Sequence, residues 1–145
     1  MIEFDLNTTS EYARNIFKKK SPKASKILNF LIHKSKRNYV DLWFVYLRWV
    51  DDIVDNSELP IKEKREFIEH QKNLITSLYQ TNNVQPTVIQ EACLIHFANY
   101  AISSGNIKLL DEVKDMVNAL SMDVNRSEGS GLFSNNELDC YVELL

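Results

Sequence analysis

The chain has 145 residues, enough for one domain with a buried core, and its 44% apolar and 26% charged residues are typical of a soluble globular protein. A net charge of -3 gives no general attraction to nucleic acid, so we expect no nucleic-acid partner. The isolated Cys93 and Cys140 form no CxxC pair and indicate neither a disulfide framework nor a zinc site, which favours a cytoplasmic location. We expect neither a signal peptide nor a transmembrane segment, because no apolar run in this sequence has the length that either one requires.

Three glycines and three prolines fall between periodic segments, a pattern that predicts an all-α bundle without strands. Ser21 and Pro22 predict an N-cap followed by proline in the first turn, and Gly105 predicts a helix C-cap. A capping box from Ser134 to Glu137 predicts a last helix. The predicted helices, about seven in all, span residues 10–19, 22–33, 38–56, 61–79, 87–105, 106–123 and the chain from 134 onward. No linker or repeat divides residues 1–145, so we expect them to belong to a single domain.

The third predicted helix is apolar or aromatic at nearly every position from 39 to 54, which indicates a place in the middle of the bundle. Its last turn nevertheless carries Asp51, Asp52 and Asp55. These carboxylates repel one another, and the helix dipole disfavours negative charge at a C-terminal end. One interpretation is a solvated helix end, with the three aspartates facing water. The apolar flanks favour a binding site instead.

Helical geometry predicts that the charged side chains of this helix converge. At about 100° per residue, Asp41, Arg48 and Asp55 follow one stripe, and Asp51 and Asp52 lie within about 60° of Asp55. Magnesium prefers hard carboxylate oxygens and is often bound through one or two of them together with phosphate oxygens. The spacing of the aspartates therefore predicts a Mg²⁺ and phosphate site.

The segment FVYLRWVDDIVD, residues 44–55, resembles the first aspartate-rich motif of the squalene/phytoene synthase family, including the arginine before the first aspartate. Head-to-tail prenyl synthases and terpene cyclases share the D-D-x-x-D pattern, so two further segments carry the resemblance. Residues 18–25, KKKSPKAS, resemble the serine-containing segment of the family, although Lys23 and Ala24 depart from it. Met122 and Asp123, followed by ELDCY at 137–141, are similar to a later stretch of the family with a longer interval between the two parts.

The resemblance implies an isoprenoid synthase-type helical bundle that condenses two allylic isoprenyl diphosphates, farnesyl or geranylgeranyl, head-to-head to squalene- or phytoene-type products. It implies Mg²⁺ held by Asp51, Asp52 and Asp55 to assist the departure of diphosphate, and it leaves open whether NADPH takes part. The rings of Phe44, Tyr46 and Trp49 are expected to line the cavity and face the carbocation. The expected catalytic residues are Asp51, Asp52, Asp55 and Tyr141, and the expected substrate-binding residues are Arg48, Ser21, Ser25, Phe44 and Asp123.

The family has a second aspartate-rich motif on a later helix, and these 145 residues contain none. We therefore expect the chain to be an N-terminal half that is inactive without its missing C-terminal half or a complementing chain. The alternative is a non-catalytic relative that acts as a helical binding or assembly protein. The lysines between 18 and 26 form either a solvated helix face or a surface that steers diphosphate, and peripheral membrane association stays open.

Overall fold

The computed structural model describes residues 4–81 and 83–126 of the chain. These residues contain six α-helices and no strands. The helices are α1 (Leu6–Lys20), α2 (Pro22–Leu31), α3 (Lys34–Asp55), α4 (Ile61–Gln80), α5 (Ile89–Ser103) and α6 (Lys108–Arg126). The all-α prediction is confirmed for these residues. The predicted seventh helix lies outside them.

Two helices begin a turn earlier than the sequence pattern predicts. The helix α1 begins at Leu6 because the Asp5 carboxylate accepts a hydrogen bond from the backbone N–H of Thr8 at 3.0 Å. The helix α3 begins at Lys34, where the Nδ1 atom of His33 accepts from the N–H of Ser35 at 3.3 Å. These side chains satisfy N–H groups that the first turn of a helix leaves without a partner.

Gly105 caps the C-terminal end of α5, as the sequence predicts. Gly105 has a φ of +71°, in the left-handed region that glycine adopts without strain. Its N–H donates to the Ile102 carbonyl at 3.1 Å, and the N–H of Asn106 donates to the Ala101 carbonyl at 2.9 Å. This pair of bonds is a Schellman motif, which closes α5 and turns the chain toward α6.

The helix α3 occupies the centre of the fold, as its apolar sequence predicts, and it packs against each of the other five helices. Leu42 and Val50 are completely buried, and Tyr46 is buried with its hydroxyl donating to Gln71 of α4 at 3.1 Å. Gln71 in turn donates to Glu91 of α5 at 3.1 Å. A polar chain therefore links α3, α4 and α5 through the core, and each buried group in it has a partner. Across the described ranges, no helix is both long enough and apolar enough to cross a membrane.

Candidate functional site

A cavity of about 320 Å³ lies between α3 and α6. Each helix turns one face toward it, because the lining positions are spaced three or four residues apart. The lining residues are Trp43, Phe44, Leu47, Arg48 and Asp51 from α3, and Met116, Ala119, Leu120 and Asp123 from α6. A mostly apolar concavity with a few charged groups is the usual form of a small-molecule site.

Four of the predicted site residues meet in this cavity: Phe44, Arg48, Asp51 and Asp123. Asp123 comes from α6, 72 positions after Asp51 in the printed sequence, and its negative charge helps to raise the pKa of Asp51. The charged lining groups therefore lie near one another, and the rest of the lining is apolar. Such a cavity suits a molecule with a polar head and a hydrocarbon tail.

Basic side chains hold the aspartates at the polar part of the cavity. The guanidinium of Arg48 lies 3.3 Å from the Asp51 carboxylate and 2.9 Å from the Asp52 carboxylate. The other oxygen of Asp52 lies 3.3 Å from the ammonium group of Lys20, at the end of α1. The predicted basic segment and the predicted aspartate motif are thus adjacent. Asp55 is exposed at the last position of α3.

The pKa of Asp51 is raised above the ordinary value for an aspartate. Partial burial is the largest cause, and the neighbouring charge of Asp55 adds to it. Arg48 opposes the rise, while Asp52 and Asp123 contribute further repulsion. Asp51 is therefore a carboxylate whose negative surroundings exceed the positive charge beside it, and a bound cation would relieve that imbalance.

The described residues contain no group of three or more histidine, cysteine or acidic side chains arranged to hold a metal ion. Asp52 has both carboxylate oxygens in ion pairs, which draws it away from a shared ligand set with Asp51 and Asp55. The oxygens of Asp51 and Asp55 still fit the chemistry of Mg²⁺, which retains waters and takes one or two carboxylates together with phosphate oxygens. The residues present therefore fit a magnesium ion completed by a phosphate ligand, and they do not form a closed protein cage.

The two predicted serines lie elsewhere. Ser25 is buried, and its hydroxyl and backbone carbonyl accept hydrogen bonds from the Arg37 guanidinium at 3.3 Å and 2.9 Å. Arg37 also donates to the buried Asp41 at 2.9 Å, so the Asp41 carboxylate belongs to a polar anchor that fixes α2 on α3. Ser21 stands at the N-cap position of α2 without a side-chain capping bond, next to Lys20. Tyr141 lies outside the described residues.

The aromatic lining differs from the prediction. Tyr46 points into the core, and Trp49 packs edge-on against Phe67 of α4 with ring centroids 5.0 Å apart. Trp43 lines the cavity beside Phe44 instead. The apolar residues of the α6 wall, Met116, Ala119 and Leu120, were not predicted either. The spacing of Met116 and Leu120 with the predicted Asp123 along one helical face is a signal for them.

No family model, no curated protein and no solved structure matches this chain. The case for a function therefore comes from the residues themselves. They place a salt-bridged acidic cluster at the polar part of an apolar cavity, with basic side chains from two helices beside it.

Proposed function

We propose that the cavity between α3 and α6 binds an isoprenyl diphosphate, as part of a squalene/phytoene synthase-type prenyltransferase. The observation that carries the proposal is the meeting of an apolar, aromatic lining with Arg48, Asp51 and Asp123 in one cavity. The resemblance of residues 44–55 to the aspartate-rich motif of that family supports the same substrate class.

The apolar lining suits the prenyl tail. Trp43, Phe44 and Leu47 on one side and Met116 and Leu120 on the other offer hydrocarbon and ring surface to an unsaturated chain. Burial of such a tail is favourable at roughly 25 cal/mol per Å² of apolar surface removed from water. Ring faces also stabilise positive charge, which develops on the allylic carbon when diphosphate departs.

The charged groups suit the diphosphate. Arg48 presents a planar guanidinium, the group best matched to two phosphate oxygens, and Lys20 adds a second positive charge nearby. Binding would exchange the ion pairs of Arg48 with Asp51 and Asp52 for pairs with phosphate. Magnesium, when bound, neutralises the leaving diphosphate as a Lewis acid, and Asp51 and Asp55 would hold it.

The role proposed for the described residues is to bind and orient one diphosphate substrate. Head-to-head coupling needs two substrates and metal ligands on facing walls of the cavity. In this chain, α3 supplies one wall, Asp123 of α6 supplies a carboxylate from another, and Tyr141 is the proposed further active-site group. The second aspartate-rich motif of the resemblance would belong to a later helix or to a complementing chain.

A second candidate is a non-catalytic helical binding or assembly protein. The ion pairs favour it, because Arg48 and Lys20 already form ion pairs with Asp51 and Asp52 without any ligand. Ligand binding separates the two candidates.

The test is calorimetric titration of the full chain with farnesyl S-thiolodiphosphate, which resists ionisation, in buffer with Mg²⁺. Replacing Arg48→Gln or Asp51→Asn should weaken binding about tenfold or more, since each removes a charged contact. The matched control is Glu112→Gln, an exposed acidic position of α6 outside the cavity, which should leave affinity unchanged. Failure of the unsubstituted chain to bind would reject the proposal in favour of the assembly protein.

A further inference from the structure

The exposed face of α2 is unusually apolar. Ile27, Phe30 and Leu31 are 58%, 90% and 69% exposed, the three highest values among the large exposed apolar side chains of the described residues. At about 100° per residue they share the face opposite the buried Ser25, which anchors α2 to the rest of the fold. A cluster of this kind marks an interaction surface, because single exposed apolar residues are ordinary but a contiguous group is not.

The stretch of sequence that carries this apolar face is rich in positive charge. Residues 12–40 contain nine of the 17 lysines and arginines and none of the 20 acidic residues of the chain. Lys23 and Lys26 lie on α2 itself, and the flanking lysines come just before and just after it. Seven of these side chains are exposed lysines, at positions 18, 19, 20, 23, 26, 34 and 36.

We infer that α2 is an interfacial anchor for an anionic lipid membrane. Phe30, Ile27 and Leu31 enter the boundary between headgroups and acyl chains, and the lysines contact lipid phosphates. A helix with an apolar face and a lysine-rich flank binds membranes in this way, with long lysine side chains reaching back to the headgroups. With 10 residues, α2 is about 15 Å long and lies in the surface instead of crossing it.

The charge pattern selects a lipid surface over a second copy of the chain. Pairing two α2 faces would bring two sets of lysines together with no acidic residue between positions 12 and 40 to compensate them. An anionic bilayer offers acyl chains to the apolar side chains and phosphate groups to the lysines. None of the three apolar residues lines the cavity between α3 and α6, so the inference does not rest on the proposed function.

Vesicle flotation of the full chain tests the apolar contribution. The chain should float with phosphatidylcholine vesicles that contain about one third phosphatidylglycerol, and it should stay behind with phosphatidylcholine alone. Phe30→Ser should lower the partition coefficient about tenfold, because it removes a ring that is 90% exposed. The matched control is Ile107→Ser, since Ile107 is also exposed, at 40%, but lies between α5 and α6. The control should float like the unsubstituted chain.

Paired lysine substitutions test the electrostatic contribution. Lys23→Gln with Lys26→Gln should lower partitioning about tenfold or more, whereas Lys62→Gln with Lys108→Gln removes the same charge from other exposed positions and should change it less than about twofold. Equal binding to both vesicle types, or unchanged binding of Phe30→Ser, would overturn the inference. So would a Phe30→Ser chain that loses a dimer in sedimentation velocity while its vesicle binding stays the same, because α2 would then be a self-association surface.

Discussion

Two acidic side chains of this protein, Glu91 and Asp51, lie in opposite electrostatic surroundings. Glu91 is buried in the first turn of α5, where the helix dipole favours negative charge. Its two oxygens accept from the N–H and hydroxyl of Thr87 at 2.8 Å each and from Gln71 at 3.1 Å, and one oxygen lies 2.7 Å from the His70 ring. Burial pushes the pKa of Glu91 upward, but the hydrogen bonds outweigh it and hold the pKa below its ordinary value.

Asp51 stands at the opposite kind of helix end, in the last turn of α3. Burial raises its pKa, Asp55 raises it further, and Arg48 only partly compensates. The comparison distinguishes a structural carboxylate from a candidate binding carboxylate. Fixed donors within the protein satisfy Glu91, whereas the charge at Asp51 is incompletely balanced and leaves room for a cation from outside.

The largest expected effect is on the structural side of this comparison. Glu91→Ala should lower the free energy of unfolding by about 3 kcal/mol, because it leaves the buried Gln71 with fewer partners, removes the hydrogen bonds from Thr87 and opens a cavity. Urea unfolding followed by circular dichroism measures it. Glu69→Ala, at an exposed position of α4, is the control and should change stability by less than about 0.5 kcal/mol. Equal effects of the two substitutions would show that the Glu91 network is not structural.

The pH dependence of stability should follow from the same group. The folded-state pKa of Glu91 lies below its ordinary value of 4.5, so the unfolded chain binds the proton more readily. Its stabilisation is then present above pH 4.5 and is lost as the pH falls through the lower folded-state pKa. Unfolding curves from neutral to acid pH should therefore show a steeper loss for the unsubstituted chain than for Glu91→Gln. Parallel curves would contradict this assignment.

The smallest expected effect is that of Asp51→Asn on the free energy of unfolding. It is opposite in sign to the effect of Glu91→Ala. The folded-state pKa of Asp51 is raised above 3.8, so ionisation of Asp51 destabilises the folded chain at neutral pH. Below pH 3.8 this destabilisation is absent. Asp51→Asn should raise the neutral-pH stability by about 0.5 kcal/mol or less, since solvent screens a side chain that is 36% exposed. The gain should vanish below pH 3.8. A loss of 1 kcal/mol or more, about the effect of breaking a structural hydrogen bond, would instead make Asp51 a structural residue like Glu91.

The helices were predictable from sequence because apolar periodicity, proline and glycine act locally. The early starts of α1 and α3 were not predictable, because they depend on capping by Asp5 and His33. Both residues lie outside the periodic segments. Burial of the centre of α3 was predictable for the same local reason. Local signals therefore suffice for the approximate position of each described helix and for the central position of α3, but not for the starts of α1 and α3.

The meeting of Phe44, Arg48, Asp51 and Asp123 was anticipated from the resemblance, and the structure brings these residues into one cavity. The aromatic lining was harder to predict, because the rotational setting of α3 against α6 decides whether Trp43 or Trp49 faces the cavity. The position of Ser25 outside the cavity was equally hard to predict. Its partner Arg37 is 12 positions away and captures its hydroxyl.

Photoaffinity labelling tests the location of the substrate site most directly. A farnesyl diphosphate analogue with a diazirine on its tail, bound to the full chain with Mg²⁺ and irradiated, should label peptides from α3 and α6, at the cavity-lining side chains such as Phe44 and Leu120. Excess farnesyl diphosphate should suppress the label, and Asp51→Asn should reduce it. Labelling of other helices would contradict a diphosphate site in this cavity. So would labelling of α3 and α6 that is unchanged both by excess farnesyl diphosphate and by Asp51→Asn.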